Sequence, residues 1–420
     1  MKVLFTFGGI PHYLNAMLNR LQAKGVEITV VSPKKGNTTI GKGVKMVEGG
    51  IYKHLTTPEK KMFYGKSAFP ALPEIIAEEK PDIVVIGWPY FLQVFFQPAL
   101  RKAMKSCNAK LVIREIPFQT PPYGKIKEYF KANPMHDEGM RLLSKGTGFY
   151  LRQWITARIR KYCYAQAAGT LNYSTAAYDI LPSYGVKKEQ IHVTYNSTDT
   201  EALLKEKESV LASPSILPPC DRRLLHIGRL VKWKRVDLLI TALPEVLVDL
   251  LIEAFRKVAA DYPEAELVIV GDGPELDNLR QQANDLQLTD SIRFIGAVYD
   301  PKTLGAYMNE SSIYVLAGMG GLSINDAMTY GMPVLCAVCD STERDLVMEG
   351  KNGYFFKDGD ADSLADRIRE MFESPERCKE MGKESERMIR ENINMETVSE
   401  RYLKAFQEIL RLTHSCDSDN

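Results

Sequence analysis

Short, uninterrupted apolar runs recur along the chain, each followed by a longer stretch of mixed character. In the first half they are Val3–Phe7, Glu27–Ser32, Asp82–Gly87, Lys110–Arg114, Thr170–Tyr173 and Ile191–Tyr195. In the second half they are Leu224–Gly228, Leu267–Gly271, Ile292–Gly296, Ile313–Leu316, Pro333–Ala337 and Tyr354–Phe356. Runs this short, rich in Val and Ile and without polar alternation, suit strands covered on both faces of a parallel sheet. The gaps carry helical spacing: Leu276, Leu279, Ala283 and Leu286 repeat along one face, as do Leu151, Trp154, Ile155, Ile159 and Tyr162. Strand–helix alternation with right-handed crossovers gives α/β architecture, with doubly wound parallel sheets.

A chain of 420 residues is long enough for two domains with full cores. Ala212–Cys220, rich in Pro and Ser, should hold no regular structure. The expected division is therefore an N-terminal domain at 1–205, a linker at 206–221 and a C-terminal domain at 222–397. Terminal helices are expected over about 375–412.

Composition excludes several classes. The 54 basic and 53 acidic residues leave a net charge of +1, which gives no global case for nucleic-acid binding. No run approaches the roughly 18–20 apolar residues of a membrane span. Met1–Phe7 runs directly into Gly8-Gly9-Ile10-Pro11 and reads as a first buried strand rather than a leader, so a cytoplasmic chain is expected. Seven cysteines, odd in number and irregularly spaced, fit reduced thiols. Cys336-Ala-Val-Cys339 has no second pair at zinc-ribbon spacing and reads as small buried residues on a strand.

Three segments carry chemistry. Gly228-Arg229-Leu230-Val231-Lys232-Trp233-Lys234 follows a strand, placing two cations where doubly wound folds bind ligands. Arg229 offers a planar fork to phosphate oxygens and Lys234 a point charge; the plainer reading is a solvated charge cluster. Gly271-Asp272-Gly273-Pro274 leaves a strand and opens a helix, either to let backbone approach a ligand or as a plain tight turn. Gly318-Met319-Gly320-Gly321-Leu322-Ser323-Ile324-Asn325-Asp326 leaves a strand for a helix whose first N–H groups face outward. Asp326, a turn inside, is placed to accept hydrogen bonds from ribose hydroxyls.

In order and spacing these segments resemble the retaining glycosyltransferases of family 4, whose two facing Rossmann-like domains and interdomain cleft form the GT-B fold. Gly8-Gly9 resembles that family's N-terminal glycine-rich loop, and Tyr195-Asn196-Ser197-Thr198-Asp199 its segment before the linker. The resemblance implies that Arg229 and Lys234 hold the donor diphosphate, and that Gly320, Gly321, Leu322 and Ser323 meet it through backbone. It further implies that Asp326 takes the ribose, that Gly9 and Gly273 line the donor, and that the loop containing Val298 meets the base. A tail helix at about 398–412 would cross back onto the first domain. No cofactor and no metal is implied, because the two cations do the electrostatic work on the diphosphate.

The sequence departs from that pattern in two places. The first of the family's paired carboxylates falls on Gly318, and where many members have His after the strand Lys110–Arg114 the chain reads Arg114-Glu115. Glu115 is then either a catalytic carboxylate facing the cleft or a strand-end partner of Arg114. His12 is either an acceptor-side residue or a loop residue. Asp358-Gly359-Asp360 offers a metal-binding D-x-D, but it precedes a helix pattern and reads as a cap.

Residues 124–164 hold nine basic residues against three acidic, interspersed with Phe130, Phe149, Tyr150 and Trp154. They read either as a helix packed on the first domain or as a peripheral contact with an anionic membrane, on the inner face of the cell. The expected function is transfer of a sugar, with retention, from a nucleoside diphosphate sugar, UDP-sugar favoured. The acceptor is a glycan or a lipid-linked hydroxyl, in bacterial surface-polysaccharide synthesis. The rival readings are a nucleotide-sugar epimerase of the same fold and a silent nucleotide-sugar-binding partner of another transferase.

Overall fold

Each of the apolar runs forms a strand. In a computed structural model, which describes residues 1–34, 49–116, 120–135, 142–230, 247–318, 322–339 and 341–417, the chain divides into two units. One comprises Met1–Tyr129, Thr147–Asn196 and Met395–Asn420; the other comprises Phe130–Gly146 and Ser197–Asn394.

The first unit carries a sheet of β1 (Lys2–Thr6), β2 (Glu27–Pro33), β3 (Lys53–Thr57), β4 (Ile83–Gly87), β5 (Lys110–Glu115), β6 (Gly169–Asn172) and β7 (Ile191–Val193). Their order is β3-β2-β1-β4-β5-β6-β7 and every pairing is parallel. The second unit carries β8 (Arg223–Ile227), β9 (Glu266–Val270), β10 (Ile292–Gly296), β11 (Ile313–Leu316), β12 (Val334–Cys336) and β13 (Gly353–Phe355). They run in the order β10-β9-β8-β11-β12-β13, again all parallel. Both sheets reverse direction of growth beside their first strand, the topology that opens a crevice at the carboxyl ends.

Both alternating sets of strand side chains are buried. On one face of the second sheet Leu224, Leu267, Ile269, Val315 and Leu335 pack with Leu251, Phe255, Leu279, Leu364 and Ile368 from three helices. On the other, Leu225, Val268, Tyr314 and Val334 are also inaccessible. The helices therefore have to cover both sides, as the unalternating runs require.

The chain enters the second unit at Ser197, earlier than the expected linker at 206–221. Asp199 caps the helix Thr200–Leu211 by accepting from the Ala202 N–H, and that helix packs on Pro301–Asn309 and Ser323–Thr329. Lys207 fastens it, donating to Glu386 at 2.6 Å and to the Thr329 carbonyl at 3.3 Å. The Pro/Ser-rich stretch at 212–220 thus lies inside the second unit.

The last helix, Met395–Asp417, packs on the first unit. Val398, Tyr402, Ala405, Phe406 and Ile409 join Val3, Phe5, Leu18, Val30 and Leu171 in one core, with the Phe406 ring edge-on to Phe5 at 6.1 Å. Among the described residues no helix is long and apolar enough to cross a membrane. Phe406→Ala should cost about 3–5 kcal/mol by leaving a cavity in this core; urea unfolding followed by circular dichroism measures it.

Candidate functional site

In the second sheet the order reverses between β8 and β11, so the segments that leave these two strands diverge at their carboxyl ends. The first is Gly228-Arg229-Leu230. Leu230 is fully buried, its N–H donates to the Asp272 carbonyl at 3.0 Å, and its carbonyl accepts from Glu275 at 3.2 Å. Gly228 donates to the Val270 carbonyl at 3.0 Å. Arg229, half-buried, is therefore presented from backbone held on both sides.

This pinning explains the second segment. A Cβ on Gly271 would lie 1.8 Å from the Gly228 carbonyl oxygen, and one on Gly273 2.1 Å from that of Leu230. Gly271 also has φ +156°. The two glycines let one loop lie directly on another, which is a packing reason distinct from approach to a ligand. Gly273 remains at the turn beside Leu230, and Val298 is half-buried in the loop after β10, next to the exposed Tyr299.

The third segment leaves β11 through the buried Gly318 and enters the helix Ser323–Thr329, with Leu322 at its N-cap. Gly320, Gly321 and Lys234 lie outside the described residues. The hydroxyl of the buried Tyr314 donates to the Ile227 carbonyl at 3.4 Å, and burial pushes its titration upward. Asp326 is the electrostatic anomaly of the site. Burial lifts its carboxyl to about 7, opposed weakly by the Thr198 hydroxyl. Asp326 Oδ1 and Thr198 Oγ1 are nonetheless both buried without a hydrogen-bond partner, so we read the pair as a close approach rather than a made bond. A buried oxygen without a donor costs free energy and invites a ligand or water hydroxyl. Thr198 and Tyr314 are the neighbours that sequence reasoning missed. Thr198 stands 128 positions from Asp326, and no local pattern links them.

In the first unit the expectation that Glu115 is an open catalytic carboxylate is corrected. Glu115 is 5% exposed. Its Oε1 accepts from Arg160 Nη1 and from Thr120 Oγ1, the latter at 3.1 Å, and its Oε2 accepts from the Tyr164 hydroxyl. Arg160 also lies 4.1 Å from the Trp88 ring centroid. Burial, and then the Glu115 charge, hold the Tyr164 phenol well above its ordinary range, so it stays a donor. The carboxylate is committed to an internal ion pair whose partners sit one turn apart on the helix Gly146–Ala165. Nor is Arg114 its partner: Arg114 Nε donates to the Tyr402 hydroxyl at 3.0 Å, and its guanidinium stacks 4.5 Å from Tyr173. Gly9 is buried in the loop after β1, and His12 is exposed at the start of the helix His12–Ala23.

Asp360 caps the helix Ala361–Phe372, accepting from the Ser363 N–H at 3.0 Å, a bond that holds its carboxyl below the usual range. Asp362 pairs with Lys257. Cys336 is a buried residue of β12, whereas Cys339 is only partly buried. Among the described residues no group of three His, Cys, Asp or Glu is placed to hold a metal.

Two outcomes follow from this chemistry. Glu115→Ala should cost about 3–5 kcal/mol, because it strands the buried Arg160 charge; Glu115→Gln should cost less, and urea midpoints compare them. For Asp326 the folded carboxyl titrates near 7 against an ordinary 3.8. The native state thus keeps a proton that the unfolded chain releases, and stability falls as pH rises between those values. Asp326→Asn removes that cost, and should raise stability by on the order of 2–4 kcal/mol at pH 8 and by less at pH 5.

Residues 244–388 match the family described as "Glycosyl transferases group 1". The chain is 23% identical to the N-acetyl-alpha-D-glucosaminyl L-malate synthase of Bacillus anthracis over 53% of its own length and 55% of that protein. It is 30% identical to the phosphatidyl-myo-inositol mannosyltransferase of Mycolicibacterium smegmatis over 38% of its length and 41% of the relative. The chain thus spans about half the length of these curated relatives. Among solved structures, Anabaena HepE in complex with UDP superposes with a TM-score of 0.62 at 16% identity, covering 97% of this chain and all of that one. The sucrose-phosphate synthase of Thermosynechococcus elongatus gives 0.63 at 15% identity, covering 98% and 100%. The fold is thus that of the GT-B glycosyltransferases, and the segment 244–388 is similar to the glycosyl transferases group 1 family.

Proposed function

We propose that the protein is a glycosyltransferase that moves a sugar from a nucleoside diphosphate sugar, UDP-sugar in particular, to a hydroxyl of a glycan or lipid-linked acceptor, with retention of configuration. The observation that carries this reading is the divergence of the Arg229 loop and the Gly318–Asp326 segment at the switch point of the second sheet. That is where doubly wound folds bind their ligands. The group 1 family match and relatives solved with UDP support it.

In this reading Arg229 and Lys234 face the diphosphate, with Gly320, Gly321, Leu322 and Ser323 beside it. Asp326 accepts from the ribose, while Gly273 and Val298 border the nucleotide. The sugar C1–O bond to the β-phosphate breaks and a C1–O bond to the acceptor forms on the same face. The acceptor proton passes to the departing phosphate oxygen, so no side-chain base is demanded. The cations stabilise the leaving diphosphate, a preorganised electrostatic role that asks for no metal. Gly9 and the exposed His12 stay the donor-side and acceptor-side candidates of the first unit. Bacterial surface-polysaccharide assembly, at the inner face of the membrane, is the setting we infer.

Melting temperatures against nucleoside diphosphates and their sugars, with and without magnesium, test the reading. A saturating ligand at a hundred times its Kd should add about 2.7 kcal/mol. We expect a metal-independent shift with UDP, enlarged by one UDP-sugar, and UDP release only when an acceptor is added. Interconversion of the donor without acceptor would mean an epimerase; binding with neither reaction would mean a silent partner. Arg229→Ala should weaken UDP binding about tenfold or more, the worth of one charge-assisted hydrogen bond. Unchanged affinity would remove Arg229 from the site.

A further inference from the structure

The helix Gly146–Ala165 faces the opposite way from its apolar stripe. It buries Phe149, Ala157, Arg160, Cys163 and Tyr164. Leu151, Trp154 and Ile155, the residues that repeat at helical spacing, are 58%, 47% and 44% exposed. At about 100° per residue these two sets occupy opposite faces. The exposed stripe continues through Tyr162, whose ring meets Phe95 edge-on at 5.1 Å. Phe95, 41% exposed, meets Phe96 at 4.9 Å, and Phe96 meets Phe63 at 5.1 Å. Phe63 sits on the connection between the short strands Lys60–Lys61 and Ser67–Ala68 and is 84% exposed. One apolar ridge therefore joins a helix to a hairpin.

Three elements that carry or flank this ridge hold charge of one sign. The helix Gly146–Ala165, the hairpin 60–68 and the helix Pro98–Ser106 contain no Asp or Glu. The hairpin carries exposed Lys60 and Lys61, and the longer helix exposed Arg152, Arg158 and Lys161. The Arg158 guanidinium lies 4.3 Å from the Trp154 ring centroid, so cation and ring present together.

We propose that this face rests on an anionic lipid bilayer, with Phe63, Leu151 and Trp154 entering the boundary between headgroups and acyl chains and the cations on lipid phosphates. Aliphatic and aromatic side chains flanked by cations of one sign are what such an interface recognises. A single-stranded nucleic acid would use the rings but not Leu151 and Ile155. A protein partner would not call for three neighbouring elements emptied of carboxylates. The inference stands on this geometry; it adds to the proposed function only where a lipid-linked acceptor would be met.

The experiment is flotation of the full chain with vesicles of phosphatidylcholine alone and of phosphatidylcholine with phosphatidylglycerol. The expected result is binding to the anionic vesicles that weakens with salt. The combined variant Phe63→Ser, Leu151→Ser and Trp154→Ser should lose about tenfold or more of it, with an unchanged melting temperature. Absence of binding by the parent, or full retention by the variant, overturns the proposal. So does a parent that light scattering shows to be dimeric while the variant is monomeric. So does preference for an oligonucleotide over the vesicles. The UDP shift is read on the same samples: its loss with vesicle binding kept refutes the transferase reading alone, and the converse refutes this one alone.

Discussion

A parallel sheet has no face to give to water. The central strands of the two sheets are buried on both faces, so polar chemistry there is confined to the strand ends. The amino end of β8 shows how severe that is. Arg223, 2% exposed, is tolerated there only because Glu266 at 2.9 Å, the Glu310 carbonyl at 2.6 Å and the Pro218 carbonyl take up its donors. At the other end of the sheet the constraint relaxes. There the chain leaves β8 at Arg229 and leaves β11 toward the helix that carries Asp326.

The same constraint decides which charges are structural and which are available. Glu115 sits at a strand end, where an open carboxylate is expected, yet it is folded inward and matched by Arg160 and Tyr164. A charge inside the protein must be paired and hydrogen-bonded or it does not stay charged. Asp326 has no such partner at Oδ1, and its carboxyl rises accordingly. The contrast between two acids with buried carboxyl oxygens, Glu115 satisfied and Asp326 Oδ1 not, separates scaffold from candidate site more clearly than position along the chain does.

Much of this was legible in the residues. The unalternating runs from Val3 to Phe356 located every central strand, because such runs have few other uses. The edge strand β3, Lys53–Thr57, escaped notice: only Thr57 of its five residues is buried, so it lacks the apolar signature and owes its form to pairing with β2. The segments around Arg229, Gly271 and Asp326 were found by spacing. The reason for the glycines was not, since contact with the carbonyls of Gly228 and Leu230 is a property of two loops at once. The helix Gly146–Ala165 misled in another way. Its periodicity was real, but periodicity gives a stripe and not the side on which the protein lies. The pair Arg160 and Tyr164, polar and one turn apart on the face away from the stripe, was the available clue that the packed side was the other one.

The first unit is assembled from three stretches of chain, the last of which begins at Met395. Tyr402, Phe406 and Ile409 are core residues of a sheet whose first strand begins at Lys2. During synthesis, then, the part of the chain made first cannot complete its core first. The unit begun earliest keeps part of its core uncovered until the helix Met395–Asp417 has been made, while the stretch from Ser197 to Asn394 already has the sequence for its own core. A stop codon that removed only that last helix would spare most of the polypeptide and still leave the first-made unit unfinished.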